Sequence, residues 1–172
     1  MSSSGTSPRG TEVFHQLDYP MLVVTCPAAR AAPQSGEHGS GCLVGFSTQC
    51  SIDPIRYLVC ISKANHTHEH ALASDVLAVH LLDQEDRRLA EVFGELTGDD
   101  VDKLALVPWT EGPGGVPVLD DAAAWFAGRV LARHDLGDHT GFVLEPVDGR
   151  KRRWIRQLGF QMVQGLDAGH PV

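Results

Sequence analysis

Two apolar runs bracketing a short polar one, Gly41–Ser47, Thr48–Pro54 and Tyr57–Ile61, constrain this chain more than any other feature. Apolar runs of this length read as β-strands, and Asp53-Pro54 closes the polar piece as a turn. The unit is therefore a strand, a loop and a strand, with Ser47 at the end of the first strand and Thr48, Gln49, Cys50 and Ser51 offered on the loop. Directly after the second strand come Ser62, Lys63, Asn65 and Thr67, ahead of a helix-like run. Main-chain N–H groups at a helix start favour anions and a lysine adds a point charge, so this second cluster is an expected phosphate site. The loop's short hydroxyl and amide groups suit the polar edge of a planar ring.

The rest of the chain repeats the strand signal. Tyr19–Cys26 reads as a strand, Pro27–Ser40 as the turn after it, and Val76–Leu82 as another strand, with His80 a hydrogen-bonded core or interface histidine. Asp83 is placed to cap a helix over Gln84–Leu96, whose Leu89, Val92, Phe93 and Leu96 form an apolar stripe and whose end is marked by Gly98. Asp99–Gly115 reads as a surface loop whose Trp109 either covers a cofactor ring or plugs the barrel or a subunit contact. Ala122–His134 and Thr140–Val147 are strands about a turn near Leu136-Gly137. Strands parted by turns, with one inserted helix and short flanking helices, predict a mainly β fold, a small β-barrel.

At 172 residues and 42% apolar, the chain can bury one core but not two. Residues 1–12 read as a disordered tail, 13–148 as the single domain and 149–172 as a C-terminal extension. That extension joins a basic cluster, Arg150–Arg153, to an amphipathic helix expected from Trp154, Leu158 and Met162. The cluster either meets an anionic partner or is the solvated end of a terminal helix.

A net charge of −8 argues against nucleic acid as a partner, since binding a phosphate backbone needs a broad basic surface. The chain shows neither an apolar run of about 18 residues nor a secretory signal, so no membrane span is expected and the expected location is cytoplasmic. Accordingly, Cys26, Cys42, Cys50 and Cys60 are expected to be reduced thiols, with Cys50 set apart by its place in the polar loop. In His66-Thr67-His68-Glu69-His70, His66 and His70 would share a helix face and His68 would not. No further ligand completes a tetrahedral set, so solvent-facing histidines and no metal are expected. Nucleophile-elbow, Walker and dinucleotide-fold motifs are missing, and no paired general acid and base is visible.

Gly41, Leu43 and Gly45, followed by Gln49, Ser51, Pro54 and Ile55, resemble the Gly-x-Thr-x-Ser/Asn strand and Ser-x-Ser-x-x-Pro-Pro loop of the flavin reductase-like, FMN-binding split-barrel family. Gly115-Val116-Pro117-Val118-Leu119 and Gly137-Asp138-His139 resemble that family's Pro-Val-Leu and Gly-Asp-His segments, in the family's order, over roughly Phe14 to Val147. Leu43 and Gly45 stand where hydroxyl or amide side chains are usual, and Ile55 replaces the second proline. The resemblance implies a split barrel that binds FMN, or the larger FAD, and takes hydride from NADH or NADPH as an oxidoreductase. It further implies a homodimer that supplies reduced flavin to a partner monooxygenase. The alternatives are an FMN-binding electron carrier without catalysis and a split-barrel enzyme for another flavin or a deazaflavin. Ser47, Thr48, Gln49, Cys50 and Ser51 would meet the ring, and Ser62, Lys63, Asn65 and Thr67 the phosphate. His139 would either seat the nicotinamide or lock the turn behind Gly137.

Overall fold

Strand β1 (Leu22–Pro27) is buried on both faces, as a continuous apolar run requires. Leu22, Val24 and Cys26 enter one core, while Met21 and Val23 enter a second. The computed structural model describes residues 10–28, 38–167 and 169. Around β1 it places β2 (Gly39–Val44), β3 (Ser47–Ile52), β4 (Ile55–Ser62), β5 (Val76–Leu81), β8 (Ala124–Asp135) and β9 (His139–Lys151). Strands β6 (Trp109–Glu111) and β7 (Pro117–Leu119) make a separate ribbon; the helices are α1 (Thr67–Leu72) and α2 (Arg87–Glu95).

The main sheet runs β2-β1-β5-β8-β9-β4-β3, with each neighbouring pair antiparallel. Its two edge strands, β2 and β3, are consecutive in sequence and separated only by Gly45 and Phe46. Such a sheet must curl until its ends meet, and Cys60 N–H donates to Phe46 O at the junction (2.9 Å). This is the expected mainly β split barrel. Its interior holds Leu22, Val24, Val44, Val59, Ile61, Leu77, Phe142 and Leu144.

The second core lies between the sheet and α2. Phe93 of α2 sits so close to β2 that a Cβ on Gly41 would come 2.7 Å from its ring. Lys103, in the segment read as a surface loop, is buried there as well and donates to Gly41 O (3.3 Å) and Phe93 O (3.2 Å), tying helix to strand. Its desolvation holds the ammonium pKa below the usual lysine range.

Several expectations change. Thr48–Ser51 is not a loop but part of β3, an edge strand with a bulge between Gln49 and Ser51; polar residues are tolerated there because the strand has solvent on both sides. Helix α2 begins at Arg87, not Gln84. The carboxylate of Asp83 instead accepts from Glu85 N–H and from Arg156 N–H of the C-terminal segment. That segment forms no amphipathic helix. It runs extended, with bridges Asp83↔Gln157 and Pro20↔Gly159, and ends in one 3-10 turn at Phe160–Met162. Free main-chain groups beside Leu82 and Tyr19 take it up, and Gly159 is a poor helix residue. Strand β9 continues past 148 to Lys151, so the C-terminal residues are sewn into the barrel. Arg153 and Arg156 pair with Asp86 and Glu85, and Lys151 lies over the Trp154 ring.

Of the tail expected over 1–12, residues 1–9 lie outside the described residues, and Thr11–Gln16 is a 3-10 helix. Residues 29–37, within the turn read over Pro27–Ser40, also lie outside them. Among the described residues no helix is long and apolar enough to cross a membrane.

Candidate functional site

Where the sheet ends meet, Gly45 and Phe46 leave a cleft of ≈ 410 Å³. Its walls come from five regions: Phe14, His15, Tyr19 and Met21 before β1, Cys42–Phe46 from β2 and its exit, Cys60, Ser62 and Asn65 from β4 and its turn, His139 at the start of β9, and Phe160 of the C-terminal segment. Most of this lining is apolar or aromatic. Tyr19 stands edge-on to Phe46 at 5.0 Å and to Phe160 at 6.0 Å, and Phe46 lies 5.2 Å from the His139 ring. Phe160 is delivered by main-chain pairing, since its N–H donates to Tyr19 O (2.8 Å).

The polar end is built by the turn after β4. Asn65 N–H donates to Ser62 O (3.1 Å), and Asn65 Oδ1 accepts from Thr67 N–H (2.9 Å), an Asx-type turn just ahead of α1. Ser62 and His139 are cross-strand partners on β4 and β9, which is why the segment after β4 and the Gly-Asp-His segment arrive together. Lys63 fastens them: its N–H donates to Asp138 O (2.8 Å), and its ammonium meets Asp135 Oδ1 (2.9 Å). That contact, the Gly137 N–H and the lysine's charge hold the Asp135 carboxyl below the usual range. His139 Nδ1 lies 2.8 Å from Asp138 Oδ1, a contact that keeps the Asp138 pKa low.

The structure thus brings Ser62, Asn65 and His139 to one cleft; Lys63, between the first two in sequence, is not part of its lining and turns its ammonium to Asp135. It does not bring the expected ring contacts there. Ser47 bonds Tyr57 Oη (3.1 Å), Thr48 Oγ1 donates to Gln49 O and Gln49 Nε2 to Ser51 O, and Gln49–Asp53 line a separate shallow surface at the hairpin tip with Cys50 exposed. Thr67 is buried, its hydroxyl 2.9 Å from that of Ser40, so it faces the core. The turn behind Gly137 is closed by Leu136 N–H to His139 O and Gly137 N–H to Asp135 Oδ1, not by the His139 ring.

Sequence reasoning missed Tyr19, Phe46 and Phe160, and placed Cys42 and Cys60 only in strands. Burial raises both thiols, Cys42 to about 11, so they are inert lining rather than nucleophiles. Phe46 carried a readable signal, a large aromatic next to Gly45 where the strand breaks. Tyr19 and Phe160 carried none, since they stand at opposite ends of the chain. Trp109 packs on the core beneath α2 and against His38, away from the cleft.

The histidine run also resolves. His68 is buried rather than solvent-facing, with Nε2 2.8 Å from Thr140 Oγ1, and desolvation followed by the Lys63 charge lowers its pKa. His66 and His70 share a face as read, their Nε2 atoms 3.2 Å apart, and His66 pairs with Asp99. No cluster of three metal-binding side chains occurs among the described residues.

The residues fit a flavin. A long apolar wall with one hydroxyl and amide end matches a ring carrying a polar chain.

Known proteins point the same way. FMN reductase (NADH) RutF of Methylorubrum extorquens is 33% identical over 105 residues, 59% of this chain and 51% of that protein. The 4-hydroxyphenylacetate 3-monooxygenase reductase component of Pseudomonas aeruginosa is 29% identical over 110 residues, 62% of this chain and 65% of that one. Among solved structures, the NADH:FAD oxidoreductase SgcE6 of Streptomyces globisporus C-1027 superposes with a TM-score of 0.71 at 26% identity, covering 86% of this chain and 82% of that one. This chain spans between 38% and 51% of the length of several curated relatives it matches. The flavin reductase-like domain matches residues 14–159, a span that takes in every strand of the barrel and all of the cleft except Phe160, and the chain belongs to that family.

Proposed function

We propose that this protein is an NAD(P)H:flavin oxidoreductase that binds FMN, or FAD, in the Tyr19–Phe46–His139 cleft and supplies reduced flavin to a partner monooxygenase. The observation that carries the reading is the cleft itself, apolar along its length, polar at one end and bordered by a histidine. When bound, the flavin and the nicotinamide supply the hydride chemistry, so the protein needs few reacting side chains.

Ser62 and Asn65 hold the polar chain, and Lys63 meets its phosphate. Gly45 and Phe46, between the two edge strands, present main-chain groups to the ring edge, a role that side chains at 43 and 45 cannot take here: Leu43 packs against Gly94 of α2, and Gly45 has no side chain. His139, oriented by Asp138, seats the second ring beside Phe46, and the aromatic wall keeps water from the reacting faces.

A homodimer belongs to the same proposal. Ile52 is 83% exposed, and Ile55, Leu131 and Val147 are exposed as well, apolar surface that a second copy would cover. Its Thr48–Ser51 edge would then reach a ring from the partner side. The similarity to a monooxygenase reductase component supports the partner.

The test is titration of purified protein with FMN, followed by NADH and NADPH oxidation with and without added flavin. Saturable binding with flavin-dependent oxidation is expected. Tight FMN with no oxidation of either nucleotide would make the protein a carrier, and a preference for a deazaflavin would change the cofactor.

A further inference from the structure

Lys63 stands in sequence between Ser62 and Asn65, which line the polar end of the cleft, and its ammonium is already engaged. Asp135 Oδ1 takes it at 2.9 Å and accepts the Gly137 N–H (3.0 Å) with the same oxygen. Asp138, on the same turn, adds a second carboxylate beside the His139 that lines the cleft. A phosphate arriving next to Ser62 and Asn65 therefore meets a lysine balanced by one carboxylate and shadowed by another. Lys63 is 38% and Asp135 77% exposed, so the pair sits in water and the ammonium can swing from one anion to the other.

We propose that Asp135 is a specificity-determining residue of this cleft: its carboxylate competes with the phosphate of the flavin for Lys63, so the phosphate adds little affinity and the flavin exchanges instead of being retained. The inference rests on the flavin reading above. Its physical basis is that binding must break one ion pair to make another, and only the difference appears as affinity.

Asp135→Asn separates the two roles of the side chain. Its amide oxygen still accepts the Gly137 N–H and keeps the turn, while the ammonium is released. FMN and riboflavin are titrated by fluorescence quenching into wild type, Asp135→Asn and the double variant Lys63→Ala/Asp135→Asn, with a melting curve for each. Asp135→Asn is expected to tighten FMN by roughly two- to fivefold, the range for an exposed pair, and to leave riboflavin unchanged. The gain should vanish in the double variant and shrink at about 0.5 M salt, where charges are screened over a few ångströms. Weaker FMN binding in Asp135→Asn, or an equal change for both flavins, would overturn the proposal, because Asp135 would then be holding Lys63 in place or merely supporting the turn. Wild type that binds neither flavin would overturn the flavin reading and this inference together; wild type that binds FMN with Asp135→Asn unchanged overturns the inference alone.

Discussion

His80 and His139 stand on strands of the same barrel, yet the first is closed on both sides and the second on one. In the β5 wall, His80 Nδ1–H donates to Val23 O (3.0 Å), and Nε2 accepts the Leu119 N–H (3.0 Å), which ties β1, β5 and β7 together and fixes a neutral tautomer. Burial lowers its pKa from the usual 6.5 to about 4, against the Val23 carbonyl, which raises it. At the cleft, His139 gives Nδ1 to Asp138, and its ring lines open space beside Phe46. Two main-chain partners make a histidine part of the core; one side-chain partner leaves it ready to meet a ligand.

The largest expected effect breaks the closed side of this comparison. Replacing His80 with Ala strands a buried carbonyl and a buried N–H and opens a hole between three strands, so a loss of about 3–5 kcal/mol in denaturant unfolding is expected. A loss below about 1 kcal/mol would mean that the two hydrogen bonds contribute little.

Acid should do nearly as much. Between pH 6.5 and about 4 the unfolded chain binds a proton at His80 that the folded protein refuses, so stability rises with pH across this window and is fully present above it. The shift is worth about 3 kcal/mol by pH 4. Unfolding free energies of wild type and His80→Gln, measured through the window, should converge as pH falls; parallel curves would place the titration elsewhere.

His139→Ala tests the open side. We expect kcat/KM for the pyridine nucleotide to fall roughly ten- to a hundredfold, equivalent to about 1.4–2.7 kcal/mol, with flavin affinity and melting temperature held, since the turn is closed by Leu136, Gly137 and Asp135 without the ring. A lower melting temperature with unchanged kinetics would move His139 to the side of His80.

The two histidines also mark how far the sequence could be read. His80 lies in a continuous apolar run, so its strand, burial and hydrogen bonding followed from local pattern alone. The cleft needed more. Thr48–Ser51 looked like a loop because its side chains are small and polar, but an edge strand needs no apolar face, and those of Thr48 and Gln49 bond their own hairpin. Lys63 looked free because Asp135 lies 72 residues away in sequence. Leu158 suggested a helix at four-residue spacing from Trp154; in the barrel it is buried while Trp154 is 87% exposed, since extended pairing to Leu82 and Met21 overrides the helical period. What periodicity encodes was legible, and what depends on which distant main-chain group finds a partner was not.

The smallest expected effect sharpens the comparison at Phe46. This ring is 47% exposed and touches both Tyr19 and His139, so removing it uncovers little core. Phe46→Ala should leave the melting temperature nearly where it was. If the ring forms part of the flavin wall, the variant should lose about 0.5–1.5 kcal/mol of flavin affinity, the worth of an aromatic contact beyond its area, with riboflavin and FMN affected alike because both carry the ring it would touch. Phe46→Leu, which keeps an apolar surface but no aromatic face, should fall between. A different pattern would reassign the residue: unchanged flavin affinity with a reduced kcat/KM for NADH or NADPH would show that Phe46 acts only by propping the His139 ring from 5.2 Å away. In that case the aromatic wall begins at Tyr19, and the cleft binds its first ring deeper, between β1 and Phe160.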